Sequence, residues 1–302
     1  VARRPLPQGP VATSTGTAEV VPDPDSTTGV TLLVNGVPSS HLDLADPGFL
    51  SFEYMQQMAA VLDAVPAGPL RVVHLGAAGC AMARWVEHQR PESRQIGVDL
   101  DARLLELVRE WFTLPRAPRL RLRAGDAREQ LASLPSGSTD VVIRDVFAGD
   151  TTPPHVATTE FVQEVLRVLR PGGLYLANCA DRPPLAHVRR ELAGLADART
   201  ATAPASPWPH LAVLSEPALL KGRRYGNLVL ALVAASPAET TVRGAADGSP
   251  VVSLDDAALA RRLRSLAVPA RLLTGTDLET FVAGAQPLTD PPSPSPSPSP
   301  SR

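Results

Sequence analysis

The sequence predicts an α/β fold, a mostly parallel sheet with helices on both faces. Three observations carry it. From Arg71 onward, short apolar runs alternate with amphipathic ones. A small-residue cluster, Gly76-Ala77-Ala78-Gly79, closes the first run. An acid closes each of the next three, Asp99, Asp126 and Asp145. Parallel neighbours need a crossover, so strand and helix must alternate.

Ahead of the alternation, residues 1–29 are rich in Pro, Thr and Gly without periodicity, which predicts a mobile arm. "VTLLVNGVPSSHLDL" holds two β-rich runs around Asn35-Gly36. Asn-Gly is the strongest two-residue hairpin signal, because both central positions take positive φ. "GFLSFEYMQQMAAVLDAV" predicts a helix, with Phe52, Met55, Met58, Ala59 and Leu62 on one face. Hairpin and helix occupy 30–68.

The sheet domain is expected over 69–236. "RVVHL", "QIGVDL", "LRLRAGD" and "DVVIRDV" are strands, each followed by a helical pattern: "AMARWVEHQ", "ARLLELVREWF", "AREQLASL" and "TTEFVQEVLRVL". "RPGG" ends the last helix and "LYLANCA" is a fifth strand. After helix "PLAHVRRELAGL", the runs "LAVLSEPALL" and "YGNLVLALVA" flank a short Lys-Gly-Arg-Arg turn, a linkage open only to antiparallel strands. Five parallel strands finished by an antiparallel pair form the seven-stranded, Rossmann-like sheet of class I S-adenosylmethionine-dependent methyltransferase-like folds. Residues 237–289 predict a helical segment through "LDDAALARRLRSLA" and "TDLETFVAGA", and 290–302 a solvated Pro/Ser tail.

Composition narrows the function. With 44% hydrophobic residues, the 302-residue chain can bury a sizeable core. A net charge of −2 supplies no electrostatic case for nucleic acid or an anionic membrane. Cys80 and Cys179 are too few for a disulfide framework and show no zinc spacing, so no metal is expected. No run approaches the ~18 apolar residues of a membrane span. The first residues lack the apolar core of a secretory signal, so a cytoplasmic location is expected.

In an open parallel sheet, ligands bind beyond the carboxyl ends of the strands. Gly76 and Gly79 let a ligand approach the backbone, and the following helix directs N–H groups there. Asp99, twenty residues past Gly79, has the spacing of a ribose-binding acid. Asp126, with Ala127 beside it in "AGDA", is placed for an adenine amine. Asp145 closes the expected central strand, where a second substrate approaches. A single such Asp is usually a turn former. Three at successive strand ends favour a nucleoside crevice.

The order "LLVNGVPSSHLDL … FEYMQQM … VVHLGAAG … VDLD … AGDA … DVVIRDVF … LRPGGLYLANCAD … GRRYGN", roughly residues 30–235, resembles the polyamine aminopropyltransferase (spermidine synthase) family. The resemblance implies a transferase that moves an aminopropyl group from decarboxylated S-adenosylmethionine, or a reaction on S-adenosylmethionine, to an amine acceptor. It implies Asp99 at the ribose, Asp126 near adenine, Asp145 at the attacking amine and Tyr54 near the acceptor. A homodimer is left open. The chain departs from the family at four places. Gly79 stands for the acid that grips the donor amine, Ala148 for a second acceptor acid, and Met55 and Ser39 for glutamines. Asp150 or Asp181 would have to compensate. Two alternatives follow: an S-adenosylmethionine-dependent methyltransferase, and a non-catalytic nucleoside-binding module whose pocket is crossed by side chains. His74, Cys80, Trp85 and Trp111 read as packing residues, and "KGRRYGN" as a polar turn.

Overall fold

The computed structural model describes residues 6–203, 205–236 and 252–292. The Pro/Ser repeat and the start of the 237–289 segment lie outside them.

Strands β1 (Val11–Ala12), β2 (Thr17–Pro22), β3 (Gly29–Val34) and β4 (Val37–Asp43) form an antiparallel sheet in that order. Asn35 and Gly36, both at positive φ, close the β3–β4 hairpin as their residue types require. The expected arm over 1–29 is thereby corrected, because 11–12 and 17–22 are strands. Tertiary pairing decides this. Ala18 and Val20 pair with Val34 and Leu32 and are buried under the sheet domain.

Helix α1 (Glu53–Leu62) follows, with Tyr54, Met55 and Met58 buried. The alternating units are then β5 (Arg71–Leu75), α2 (Ala81–Gln89), β6 (Arg94–Asp99), α3 (Ala102–Trp111), β7 (Leu120–Ala124), α4 (Ala127–Ala132), β8 (Thr139–Arg144), α5 (Thr159–Val168) and β9 (Leu169–Asp181). Helix α6 (Ala186–Thr202), β10 (Leu211–Ser215), α7 (Pro217–Leu220) and β11 (Gly226–Val233) close the domain. Beyond the undescribed stretch come α8 (Ala257–Arg264), β12 (Arg271–Thr274) and α9 (Gly275–Val282).

The main sheet runs β12-β10-β11-β9-β8-β5-β6-β7. It has eight strands where the sequence predicts seven. The extra one is β12, antiparallel to β10 at the edge. Its four residues, "RLLT", are too short to show an alternation of their own. The expected strand "LAVLSEPALL" also stops at Ser215, where Pro217 opens α7. The core pattern of β9 explains the layering. Leu174 and Leu176 point to the face covered by the N-terminal sheet, α1, α2, α3 and α8; Tyr175 and Ala177 point to the face covered by α4, α5, α6 and α9. Among the described residues, no helix is long and apolar enough to cross a membrane.

One carboxylate holds the two sheets together. Asp101 caps α3 by accepting from Leu104 N at 2.8 Å. It also accepts from Ser14 N and Thr15 N at 2.9 Å and from Thr15 Oγ1 at 2.7 Å. Burial alone would raise its carboxyl, but these donors outweigh burial and hold it far below the usual carboxylate range. Asp101→Asn is expected to cost about 1–3 kcal/mol and to speed amide exchange over 11–22. Because the folded-state pKa is depressed, the wild-type advantage is complete above the unfolded value and shrinks as pH falls below about 4. Urea denaturation of both proteins at neutral and acid pH measures it.

Candidate active site at the carboxyl edge of the sheet

The chain runs outward from β5 through β6 to β7, then returns to the other side of β5 as β8. The switch point therefore lies between β5 and β8. Gly76 occupies it with φ +83°, and a Cβ there would stand 2.0 Å from the Asp145 carbonyl oxygen. Only glycine allows this approach.

The turn's amides are spoken for. Gly76 N and Ala77 N both donate to Val98 O at 2.9 Å. Ala78 N donates to Asp99 Oδ2 at 2.9 Å, and Gly79 N to Ser40 Oγ at 3.0 Å. A Cβ on Gly79 would stand 2.7 Å from Ser40 Cβ, so β4 lies against the turn. At 76–79 the amides all bond within the protein. Asp99 takes one backbone amide on each oxygen, from Ala78 and from Asp101, the latter at 3.1 Å. Each oxygen keeps a lone pair for a hydroxyl. Burial raises this carboxyl above its ordinary value. Leu100 follows, 66% exposed. It offers apolar surface beside the acid, and the sequence signal was a leucine directly after a strand-end carboxylate.

Asp126 caps α4, with Oδ1 accepting from Arg128 N at 2.8 Å and Glu129 N at 3.2 Å, and Ala127 is buried as the first helical residue. Its Oδ2 meets His155 Nε2 at 2.8 Å. Burial alone would raise the Asp126 carboxyl; the imidazole and the two amides outweigh it and lower it. Arg128 pairs with Asp290, which also accepts from Thr158 Oγ1 at 2.9 Å. Asp290, the first residue of the expected solvated tail, is thus pinned over α4.

Asp145 follows β8, and its own amide donates to Leu75 O at 2.7 Å. Its Oδ2 accepts from Tyr54 Oη at 2.8 Å and its Oδ1 from Asn178 Nδ2 at 2.9 Å. Burial raises its carboxyl, partly offset by these two donors and by Arg144. Burial and the neighbouring Asp145 also push the Tyr54 phenol well up, so Tyr54 stays a donor. Asn178 Oδ1, Gln57 Oε1 and Thr152 Oγ1 are buried without a hydrogen-bond partner. Sequence reasoning missed Asn178 and Gln57. Each was a polar residue on an otherwise apolar face, in "LYLANCA" and in α1 three residues after Tyr54.

The expected compensating acids are placed differently. Asp150 is exposed and meets Arg182 Nη2 at 3.4 Å. Asp181 accepts from Arg182 N at 2.8 Å and Val188 N at 2.9 Å, an anchor for the entry to α6. Behind β8, Arg144 is fully buried and pairs with Glu191 of α6 at 2.6 Å. Burial would lower the guanidinium; Glu191 outweighs this and raises it. Cys179, His187 and Glu191 bring ligand-type atoms within 4.8 Å of one another. Glu191 is committed to Arg144, and burial holds the Cys179 thiol protonated. The donor set is therefore built as an ion pair and fits a cation poorly. His74 is buried against Gln95 at 2.8 Å, and burial lowers it to about 4, so it is neutral. Burial pushes the Cys80 thiol up to about 12. Both are packing residues, as are Trp85 and the partly buried Trp111.

Fold and edge define a class: a transferase-type domain with the Rossmann-like, class I methyltransferase-like fold. Residues 72–173 match the methyltransferase-domain family. The structure of a probable spermidine synthase from Corynebacterium glutamicum superposes with a TM-score of 0.82 at 38% identity, over 98% of this chain and 100% of that one. The chain belongs to the spermidine synthase-like family. The polyamine aminopropyltransferase of Neisseria meningitidis is 25% identical over 140 residues, 46% of this chain and 53% of that protein. The human eEF1A lysine and N-terminal methyltransferase is 28% identical over 125 residues, 38% of this chain and 18% of that protein. The chain thus spans about half of one curated relative and under a fifth of the other.

Tyr54→Phe removes one of the two side-chain donors that oppose the effect of burial on Asp145. The Asp145 carboxyl is expected to titrate at higher pH in the variant, because burial is then less opposed. Carboxyl-carbon NMR titration of both proteins reads the shift; an unchanged or lower value contradicts the assigned contact.

Proposed function

We propose that the protein transfers an aminopropyl group from decarboxylated S-adenosylmethionine to an amine acceptor. Asp145 carries the reading. It is a buried carboxylate with raised basicity, fixed by Tyr54 and Asn178, and its backbone touches the Gly76 turn. The buried, unpartnered acceptor oxygens of Asn178 and Gln57 support an N–H-bearing ligand. The nucleoside would lie along Asp99 and Leu100 toward Asp126 and Ala127, with its adenine edge competing with His155 for Asp126.

The chemistry is a single displacement. The amine lone pair attacks the methylene carbon next to the sulfonium, the C–S bond breaks, and its electron pair leaves with neutral methylthioadenosine. The proton lost by the amine passes to Asp145. Such a positioned base contributes ~10²–10⁴-fold, and positioning two substrates contributes further.

Methyl transfer from intact S-adenosylmethionine is the second reading. It is favoured by the methyltransferase-domain match and by the missing acid at Gly79. A non-catalytic module would show side chains across the pocket. Ser40 does cross at Gly79, whereas the Asp145 side keeps unpartnered buried acceptors.

Two variants test the proposal. Asp99→Ala is expected to weaken methylthioadenosine binding by ~1–3 kcal/mol, as hydroxyls lose a charged acceptor; calorimetry with unchanged affinity would place the nucleoside elsewhere. Asp145→Asn should keep nucleoside binding and lose about two orders of magnitude or more in turnover, since an amide takes no proton. Mass spectrometry of amine products reads this. Equal turnover in both proteins removes the role of Asp145; methylated product in place of aminopropylated product moves the assignment to the second reading.

A further inference from the structure

Just past the end of β9, the strand that carries Asn178, stands an arginine where a diamine acceptor would need negative charge. Asn178, which bonds Asp145, lies near the end of β9. Arg182 stands four residues further, on the order of 13 Å along extended backbone. Its guanidinium lies over the Tyr225 ring, 5.7 Å from the centroid, and its Nη2 reaches Asp150 Oδ2 at 3.4 Å. Tyr225 immediately precedes β11, the strand paired with this end of β9. The stack holds one face of a planar fork whose N–H edge suits a carboxylate.

The surrounding charges are mixed, with a small excess of cations. The turn before Tyr225 presents exposed Lys221, Arg223 and Arg224, and Arg224 is paired with Glu216. Asp181 is occupied as a backbone anchor, and Ala148 supplies no charge. Asp150 and Asp181 are left to offset Arg182, Lys221 and Arg223. The far ammonium of a diamine would be repelled here, and an anion attracted.

We propose that Arg182 binds an anionic group, a carboxylate, at the far end of the acceptor, so that the acceptor is an amine-bearing acid and not a diamine. This rests on the reading of Asp145 as the carboxylate at the attacking amine. Arg182 then sets specificity: the amine end enters toward Asp145, and the carboxylate stays at the rim between Arg182 and Tyr225.

Calorimetry on the full chain, with and without saturating methylthioadenosine, compares putrescine with γ-aminobutyrate and cadaverine with δ-aminovalerate. Each pair shares the amine and the carbon count and differs only in ammonium or carboxylate at the far end. The carboxylate member is expected to bind at least tenfold more tightly. Arg182→Gln should abolish that preference, Arg182→Lys should retain part of it, and Arg182→Glu should invert it. Diamines binding as tightly as their partners, no binding by any of the four, or a preference that survives Arg182→Gln overturns the proposal. A carboxylate preference that depends on Arg182, with no aminopropylated product from any of the four, upholds the anion subsite and removes the aminopropyl reading. Aminopropylated diamines with no carboxylate preference do the reverse.

Discussion

The close approach of β5 and β8 at Gly76 is the constraint on which the site depends. Leu75 and Asp145 share a backbone hydrogen bond, and Gly76 then turns so tightly that a side chain would occupy the Asp145 carbonyl. Everything downstream inherits that geometry. Ala78 is delivered to Asp99, Asp145 is delivered to Tyr54 and Asn178, and the proposed nucleoside floor and the proposed acid for the second substrate become parts of one turn. A carboxylate held between two fixed donors at the end of a central strand has little rotamer freedom to lose on reaching its reactive geometry, which is what positioning requires.

The buried Arg144–Glu191 pair supports this from behind. It sits one residue before Asp145 on the opposite face of the sheet, and Arg144 also donates to Asn178 O at 3.2 Å. One guanidinium thus ties β8, β9 and α6 together at the level where Asp145 and Asn178 meet. Such a pair adds little net stability over apolar packing, yet losing one partner leaves an unpaired buried charge. Its structural effect is to fix the register of the two strands that carry the site, and its charge favours the ionised form of Asp145.

Much of this was legible in the sequence, because the signals were local. The βα alternation, the Asn35-Gly36 hairpin and the acids at the ends of β6 and β8, and just past β7, depend on spacing and turn chemistry, and the structure places them accordingly. What was not legible depends on distant partners. Residues 11–22 carry loop-like composition and become strand only because β3 offers an edge and Asp101 captures the turn at Ser14 and Thr15. The four residues of β12 have too little pattern to stand out. Asp126 looks free in "AGDA", yet its second oxygen is held by His155, 29 residues away. Asn178 and Gln57 were visible only as polar letters in apolar runs, a signal that carries weight once burial is known.

Glycine at 79, where the resemblance implies an acid at the donor amine, makes room for β4 to lie against the turn, and Ser40 then satisfies the Gly79 amide. Restoring an aspartate at Gly79 alone would drive its Cβ into Ser40, a clash between a backbone-anchored atom and a short side chain with no slack to yield. A site that had merely decayed would leave the groups of the lost function unsatisfied at that spot. Here the turn amides at 76–79 are all paired, while Asn178, whose amide holds Asp145, keeps a buried oxygen without a partner. Unpaired buried acceptors are costly to keep in a folded protein. Such an acceptor beside a fixed carboxylate suits a ligand that donates hydrogen bonds there, as the amine of the proposed reaction would.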